Sequence, residues 1–531
     1  MRPLEKLDKL IAPQDKPVRA KIIRNVLFSG VRGLLVWPIP FLLIPFIVGK
    51  LGPSGYGAWA VCLTVINLTA LADLGLGGTL TKYVAEYHAS QDFKALKRLL
   101  DTGLMLYMVV ASLVVVVLWS SSPLALRALF ADSPTPREEL LLLWHRVILV
   151  AGINILIPTF YSVVTGLQRM DLSNGLLVIS LVTSAGLSVL FLCLHWGLRG
   201  LVDAYLLAAL LSLFLYSWIT RRLLPQIRMN PMACDWPQAR HLFSFSLQMY
   251  TTQMAGLIQD QIEKLYLAWF VGIVPVGWYN MAGEAALKIR RIPELLMTPI
   301  IAAASELHAK RDESKLRELY YRAHKYLALT GVPLAMFVAL ISRRLVDLWL
   351  GRNLEVVALP LTVLLCVNLL NLLTAPGFYI MVGKGIPRPG VLSCTVGISM
   401  NVVLSFWLIH HWGFQGAFIG TFVSALVSMC VFTYLFHRHT VYPYGRLIYE
   451  AYLKPLLCAA SIVLLISYAV PVGRLGWRGL CLVGGGFGAA YLAALILARF
   501  FDDFDLVQVE KLLPIVRFAR KFVPLRKAQA L

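Results

Sequence analysis

The chain has 531 residues, of which 58% are apolar and 15% are charged, and its mean hydropathy is +0.72. Soluble domains average about 45–50% apolar and about 25% charged residues, so these values exclude an ordinary soluble fold. The net charge of +21, from 49 basic and 28 acidic residues, would suit a nucleic-acid partner. The charges lie beside apolar blocks, however, and this placement indicates a membrane protein with no nucleic-acid partner.

Apolar blocks recur along the whole chain. A spanning helix needs about 20 mostly apolar residues, because the hydrocarbon core of a bilayer is roughly 30 Å thick. By that measure the sequence predicts an all-α integral membrane fold with fourteen transmembrane helices. The predicted spans lie near 26–49, 56–80, 103–122, 140–165, 172–195, 200–220, 242–271, 276–304, 326–350, 357–382, 390–410, 414–437, 451–471 and 478–499.

The distribution of Lys and Arg between the loops predicts the orientation. With the N-terminus in the cytoplasm, the cytoplasmic segments hold 32 of the 49 basic residues and the outer loops hold 6. Cytoplasmic loops of membrane proteins carry the excess of positive charge, so both termini are expected in the cytoplasm. The high pI then needs no nucleic-acid partner, because most of the positive charge faces an anionic leaflet.

The loops and the cysteines exclude several functions. The longest outer loop, near 121–139, is too short for a domain, which disfavours a membrane glycosyltransferase or polymerase. The segment from Gly377 to Gly385 only resembles a phosphate-binding loop, because its glycine spacing is wrong and no Ser or Thr follows Lys384. The eight cysteines form no CxxC pair. We expect no enzyme, no metal site and no cofactor.

The sequence contains an internal repeat. Residues 85–99 read AEYHASQDFKALKRL and residues 305–319 read SELHAKRDESKLREL, with six identities at a constant offset of 220. A second pair, at an offset of 216, matches the HWGLRG segment 195–200 to the HWGFQG segment 411–416. The first pair of segments follows the second span of each half. The second pair precedes the sixth span of each half. A unit of six spans therefore occurs twice.

Six is an even number, so both units enter the membrane in the same orientation. Such parallel repeats are related by a pseudo-two-fold axis along the membrane normal, and a substrate site is expected between them. Alternating access by two lobes follows from this layout. The predicted organisation is a cytoplasmic N-terminal segment at 1–25, an N-lobe at 26–220, an inter-lobe loop at 221–241, a C-lobe at 242–437, two further spans within 451–499 and a cytoplasmic amphipathic tail at 500–531.

Three motifs in the first two spans resemble a known family. They are LGPSGYG at 51–57, LADLGLG at 71–77 and YVAEY at 83–87. They look like the opening signature of the polysaccharide transporters, the O-antigen and exopolysaccharide flippases of the multidrug/oligosaccharidyl-lipid/polysaccharide exporter superfamily. The span count and the 6 + 6 + 2 layout extend the resemblance over the whole chain.

The resemblance implies a multi-pass protein of the bacterial inner membrane. Such a protein moves undecaprenyl-diphosphate-linked oligosaccharide from the cytoplasmic to the periplasmic leaflet, for O-antigen or exopolysaccharide biosynthesis. The expected partners are this lipid-linked glycan and membrane lipids, with polysaccharide polymerase and chain-length machinery as further candidates.

Ionisable residues inside spans are costly and by default mark a transport pathway. Here they concentrate in spans 1, 7 and 8. We interpret the cations as ligands of a diphosphate, because guanidinium binds phosphate oxygens in pairs and an ammonium acts as a point charge. Polar neighbours on the same helix faces complete the predicted substrate site, which comprises Asn25, Arg32, Gln253, Lys264, Asn280, Lys288 and Arg291.

The acidic residues of the same region are the candidates for ion coupling. Asp260, Glu263 and Glu284, together with Asp73 of the LADLGLG motif, would hold the cations apart or bind a coupling proton or Na⁺. The alternative is that Asp260–Lys264 and Glu284–Lys288 are ion pairs between successive turns of one helix that only neutralise each other. Asp73 has its own alternative, which is to cap a helix break at the neighbouring glycines.

Two rival transport functions stay open at this point. A drug or cation antiporter of the same superfamily would favour an acidic or aromatic pocket, whereas spans 1, 7 and 8 carry five basic and four acidic residues. This balance favours an anionic substrate. A peptidoglycan-precursor flippase shares both the layout and the diphosphate, and the sequence does not separate it from an O-antigen flippase.

Overall fold

The computed structural model describes residues 38–502 and 505, apart from 134, 295–296, 298 and 441. These residues form two compact units, one ending at Asn280 and the other beginning at Met281. The first unit contains α1 (Pro38–Leu68), α2 (Leu76–Ala89), α3 (Phe93–Ser120), α4 (Ser122–Leu129), α5 (Arg137–Gly166), α6 (Met170–Cys193), α7 (Gly197–Leu223) and α8 (Trp236–Phe270).

The boundary between the units falls within α9 (Ile273–Glu294). A π-helix at Ile448–Leu453 leads directly into α16. The second unit contains α10 (Ile300–Ala309), α11 (Glu313–Leu350), α12 (Ala358–Gly383), α13 (Arg388–Trp412), α14 (Phe414–Thr440), α15 (Tyr444–Leu447), α16 (Lys454–Ala469) and α17 (Trp477–Leu497).

Eleven helical segments of the described chain are long and apolar enough to cross a membrane. One of these segments, Pro38–Asp73, contains parts of both predicted spans 26–49 and 56–80. The two are joined because α1 continues through a kink at Gly52. The helices α8 and α9 are not among the eleven, since they carry the polar and charged residues singled out from the sequence. The count of fourteen and the lobe boundaries stay predictions.

Two predicted segments lie largely outside the described residues. They are the N-terminal segment 1–25 and, apart from 500–502 and 505, the tail 500–531. Within the described chain, the outer loop predicted near 121–139 contains the short helix α4.

Two predicted spans end earlier in the structure than in the sequence analysis. The span 56–80 is interrupted where α1 gives way to a 3₁₀-helix at Thr69–Asp73, followed by left-handed backbone at Leu74 and Gly75. The span 276–304 is interrupted where α9 ends at Glu294, one residue after Pro293. Proline removes a backbone donor and disturbs the preceding helical turn. A prediction from hydropathy alone does not take this effect into account.

The first sequence repeat is also a repeat of local structure. Between α2 and α3 the backbone turns through Gln91 with φ +58°, and between α10 and α11 it turns through Arg311 with φ +55°. Asp92 then accepts a hydrogen bond from the Ala95 N–H at 2.9 Å, and Asp312 accepts one from the Lys315 N–H at 3.1 Å. Both aspartates are side-chain caps of the following helix.

The second sequence repeat also recurs in the structure. Gly197, which begins α7, and Gly413, which precedes α14, both have left-handed backbone, with φ +60° and +58°. Three residues later a glycine lies against the preceding helix. A Cβ on Gly200 would lie 2.8 Å from Phe191 Cβ, and one on Gly416 would lie 2.2 Å from the Leu408 carbonyl oxygen. Glycine permits both features.

A third repeat is visible only in the structure. The turn from α5 to α6 passes through Gln168 with φ +57°, and the turn from α12 to α13 passes through Gly385 with φ +75°, an offset of 217. The helix ending at Gly166 lies against α2, and the helix ending at Gly383 lies against α10. The sequence analysis missed this pair because the two turns share few residue types.

The hydrophobic cores of the two units use corresponding positions. Leu96 in α3 and Leu316 in α11 are both fully buried, and so are Val84 in α2 and Ala304 in α10. Each pair is separated by 220 residues, as in the sequence repeat. Burial of the same helix faces shows that the repeat extends from the turns into the packing of the helices that follow them.

Candidate functional site

The motif LGPSGYG at 51–57 brings α1 against α9 within the first unit. Gly52 has φ +69°, which kinks α1, and Gly57 lies in direct contact with the start of α9. A Cβ on Gly57 would lie 2.1 Å from the carbonyl oxygen of Ile273, and one on Gly277 would lie 3.1 Å from Gly57 Cα. Only two glycines permit so close an approach of the two backbones.

The same approach creates a buried hydrogen bond. Asn280, a predicted substrate-binding residue, donates from Nδ2 to the Tyr56 hydroxyl oxygen at 2.9 Å. Both side chains are buried. A buried amide needs a partner, because leaving it unpaired costs free energy. In the structure Asn280 therefore positions α9 against α1, a role that sequence reasoning did not assign to either residue.

The helix α8 carries the second group of predicted residues. Lys264 donates from Nζ to Gln261 Oε1 at 3.3 Å, and Glu263 is completely buried. A carboxylate at a fully buried position is costly and is typical of a functional group in membrane proteins. Gln253 and Asp260 also lie in α8, but their side chains fall outside the described part of the structure.

The predicted residues of α9 include one ion pair. Lys288 Nζ lies 3.4 Å from Glu284 Oε2, and the two side chains are 30% and 34% exposed. This is the pairing between successive helical turns that the sequence left as an alternative to a substrate role. Both side chains remain about one-third exposed, so the pair is not sealed inside the packing of the protein.

The C-terminal end of α9 holds three further charges. Arg291 Nη1 lies 3.5 Å from Glu294 Oε2 and is 60% exposed, and Arg290 Nη2 lies 3.8 Å from Glu294 Oε1. Arg290 also donates from Nη1 to Asn368 Oδ1 on α12 at 3.4 Å. Sequence reasoning missed Asn368, although an amide inside an apolar span signals an interhelical hydrogen bond.

Asp73 has two hydrogen-bond donors in the structure. Its carboxylate accepts from the Gly77 N–H at 3.2 Å, at the start of α2, and from the hydroxyl group of Tyr107 on α3. This arrangement matches the capping alternative for Asp73 and joins the LADLGLG motif to α3. Its proposed part in ion coupling stays a prediction.

One ion pair of the first unit joins two helices that are distant in sequence. Arg146 on α5 lies with Nη1 at 2.5 Å from Asp203 Oδ1 and 2.6 Å from Oδ2, on α7. Next to Arg146, the ring of His145 stacks on Trp119 with centroids 3.9 Å apart. These contacts tie α3, α5 and α7 together at one end of the first unit.

Two of the predicted site residues lie outside the described part of the structure. Asn25 and Arg32 precede its first described residue, Pro38. Within the residues that the structure describes, no group of three or more His, Cys, Asp or Glu side chains could hold a metal ion. Among the described residues, the first unit thus holds Lys264 and Glu263 on α8, and the second unit holds the alternating charges of α9 from Glu284 to Glu294.

Solved structures of similar shape define the fold. The lipid II flippase MurJ, in an inward closed conformation, matches with a TM-score of 0.70 and 11% identity over 90% of this chain and 99% of that one. A multidrug resistance transporter of the MATE family, in an inward-facing conformation, matches with a TM-score of 0.60 and 16% identity over 76% and 95%. The fold is that of multi-pass membrane transporters.

Comparison of sequences gives the family. The profile of the family described as polysaccharide biosynthesis protein matches residues 22–305, and the chain belongs to that family. It is 19% identical to a candidate O-antigen transporter of Shigella flexneri over 427 residues, which are 78% of this chain and 98% of that protein. An uncharacterized membrane protein of Methanocaldococcus jannaschii is 20% identical over 412 residues, 76% and 81% of the two chains. The resemblance expected from the motifs at 51–87 is confirmed.

Proposed function

We propose that this protein is a flippase that moves polyprenyl-diphosphate-linked oligosaccharide from the cytoplasmic to the periplasmic leaflet of a bacterial inner membrane, with both termini in the cytoplasm. One observation carries the proposal. The family match at 22–305 includes every candidate site residue, from Asn25 to Arg291. The glycan would serve O-antigen or exopolysaccharide biosynthesis, in line with the relative from Shigella flexneri.

The charges of α9 suit a diphosphate. Lys288, Arg290 and Arg291 outnumber Glu284 and Glu294 on this helix, and Lys264 adds a cation on α8. A diphosphate carries its charge on oxygens that guanidinium groups bind in pairs. Arg32 is the further cation that we assign to this site.

The Glu284–Lys288 pair supports a mechanism of exchange. Glu284 Oε2 lies 3.4 Å from Lys288 Nζ and so gives the ammonium a counter-charge inside the membrane. An entering diphosphate would replace the carboxylate as the partner of Lys288. Glu284, Glu263 or Asp260 would then take up a proton or Na⁺, which couples substrate release to an ion gradient.

We infer that the two six-span lobes alternate access to the two leaflets. The turns that recur at offsets of 220, 217 and 216 support parallel repeats, because each repeats the backbone geometry of its counterpart. In this layout the chain has fourteen spans, arranged as two lobes of six and two additional C-terminal helices. Parallel lobes place equivalent helices on opposite sides of a substrate site.

Two alternative cargoes are a peptidoglycan precursor and a cationic drug. Solved structures of a lipid II flippase and of a multidrug transporter share the fold of this chain. Both comparisons show the fold alone. The cations of α9 disfavour the second alternative, because a positively charged drug would meet more positive than negative charge there.

The test is transport by the purified protein in liposomes. Lipid-diphosphate oligosaccharide, lipid II and a fluorescent cationic drug would each be supplied, and we would measure how fast each head group becomes accessible on the opposite side. We expect the oligosaccharide lipid to move faster than in protein-free liposomes and the drug not to move. Movement of the drug alone would contradict the proposal, and movement of lipid II alone would reassign the cargo.

Coupling is tested separately with Asp260→Asn in the same liposomes. We expect the rate of the wild type to rise when a proton or Na⁺ gradient is imposed and the rate of the variant not to respond. Arg240→Gln, which removes a charge at an exposed position of the same helix, serves as the control and should respond to the gradient as the wild type does. A variant that responds to the gradient as the wild type does would exclude Asp260 as the coupling group.

A further inference from the structure

The first unit contains a pocket that lies apart from the candidate transport site. Its volume is about 470 Å³, within the range of roughly 300–1,000 Å³ that is usual for small-molecule sites. It lies where α3, α5 and α7 meet the segment 224–229 that follows α7. Its lining includes Leu104, Phe160, Ser217, Arg221, Arg228 and Met229.

The two arginines of this pocket are available to an anion. Arg221 and Arg228 are both exposed, and neither forms an ion pair with any residue between 38 and 502 that the structure describes. Their neighbour Arg222 differs, since its guanidinium lies 5.4 Å from the centroid of the Trp218 ring. The pocket thus combines a cavity with two uncompensated cations.

An exposed apolar stripe on α7 leads to the pocket. Leu207, Leu210 and Phe214 are 45%, 45% and 62% exposed, and their spacing of three and four residues puts them on one helix face. Ser217 and Arg221 continue the same face towards the end of the helix. An acyl chain can therefore lie along the apolar part of the stripe while its headgroup reaches the arginine.

In the second unit the corresponding space is filled. Phe160 and Thr220 of the first unit, whose Thr220 Oγ1 lies 3.4 Å from the Phe160 carbonyl oxygen, correspond to Gly377 and Phe436 at offsets of 217 and 216. A Cβ on Gly377 would lie 3.2 Å from the Phe436 ring, and that ring stacks on Tyr320 with centroids 4.8 Å apart. The pocket is thus a feature of the first unit that its structural repeat does not share.

We propose that this pocket binds the phosphate headgroup of an anionic phospholipid from the cytoplasmic leaflet. Arg221 and Arg228 bind the phosphate oxygens, and the stripe that ends at Phe214 contacts the acyl chain. The side of the membrane follows from the basic loop 221–241, which the distribution of Lys and Arg assigns to the cytoplasm. Basic pockets between spanning helices on that side are suited to anionic headgroups.

Native mass spectrometry of the full-length protein tests this assignment. Delipidated protein in detergent would be titrated with phosphatidylglycerol and, separately, with phosphatidylcholine. An arginine beside an anionic headgroup adds about fivefold to the affinity, so Arg221→Gln/Arg228→Gln, which removes both arginines from the pocket lining, should weaken phosphatidylglycerol binding by more than tenfold. Arg222→Gln is the matched control and should leave it unchanged, because Arg222 contacts Trp218 instead.

A second variant tests the cavity without removing charge. Ser217→Phe places an aromatic ring in the pocket, as Phe436 does in the second unit, and should also abolish tight phosphatidylglycerol binding. Wild-type affinity in both variants, or equal affinity for phosphatidylcholine, would overturn the proposal. Displacement of the lipid by inorganic phosphate at similar concentration would show that the pocket takes free phosphate rather than a lipid. Size-exclusion profiles that match the wild type establish that the variants are folded.

Discussion

The amide of Asn280 donates a hydrogen bond to the hydroxyl oxygen of Tyr56 at 2.9 Å, between the middle of α9 and the motif at 51–57. One turn of α9 further along the chain is Glu284, the partner of Lys288. The hydrogen bond fixes the rotation of α9 about its own axis, since Gly57 and Gly277 hold the same two helices in contact. The bond and the glycine contact thus fix the start of α9 against α1 within the first unit.

Removing the Tyr56 hydroxyl group should destabilise the first unit. Tyr56→Phe leaves the buried Asn280 amide without this acceptor, at a cost of about 1 kcal/mol, so thermal unfolding in detergent should begin at a lower temperature. Tyr434→Phe is the control, because Tyr434 is exposed. Equal melting temperatures for Tyr56→Phe and the wild type would show that the bond does not hold the two helices together.

The Arg146–Asp203 pair should behave as a coupled unit. Each single substitution, Arg146→Met or Asp203→Leu, leaves a partly buried charge without its partner, and we expect a cost below the about 3–5 kcal/mol found for fully buried pairs. The double variant should be more stable than the sum of the single effects predicts. A double-mutant cycle on the free energy of unfolding measures this coupling.

The control for that cycle is Arg199→Met. Arg199 lies 3.7 Å from the same Asp203 carboxylate but is 60% exposed, and exposed pairs contribute little. Additive effects of Arg146→Met and Asp203→Leu would contradict the account of a coupled pair.

The segment after α17 should detach as the pH falls. Burial alone would raise the pKa of Asp502, but the Asp505 N–H, Lys325 and Arg322 outweigh burial and lower it below 3.8. Lys325 Nζ and Arg322 Nη1 each lie 3.4 Å from Asp502 Oδ2. Because the folded pKa lies below the unfolded pKa, the stabilisation is present above about pH 4 and is lost as the pH falls through the folded pKa.

Melting temperatures of the wild type and Asp502→Asn would be compared between pH 7 and pH 3. We expect the variant to melt lower at pH 7 and the difference to shrink below about pH 4. Glu355→Gln, at an exposed position, should show no such convergence. A difference that is independent of pH would mean that the Asp502 carboxylate does not contribute through its charge.

Local features of this fold could be predicted from the sequence. Apolar blocks locate most of the spanning helices, because hydrophobic length is a property of a single segment. The repeat at 85–99 and 305–319 locates two turns with the same cap, since Asp92 and Asp312 act on residues three positions away. In both cases the interacting groups are close in sequence.

Contacts between distant segments could not be predicted in the same way. The partner of Asn280 is 224 residues away, and the amide that meets Arg290 comes from α12. Arg146 and Asp203 lie near the ends of separate spans, and a single sequence does not show that these ends meet. The charged residues of α8 and α9 could be recognised individually, but the packing decides their partners.

Transport of lipid-diphosphate oligosaccharide by charge-altered variants tests the central claim most directly. Lys264→Ala, Lys288→Ala and Arg32→Ala would be reconstituted at equal protein density and compared with Arg199→Ala, an exposed cation of the first unit. The account predicts that each of the three slows head-group translocation at least tenfold while Arg199→Ala moves the lipid at the wild-type rate. Wild-type rates in all three variants, with normal expression and folding, would contradict it.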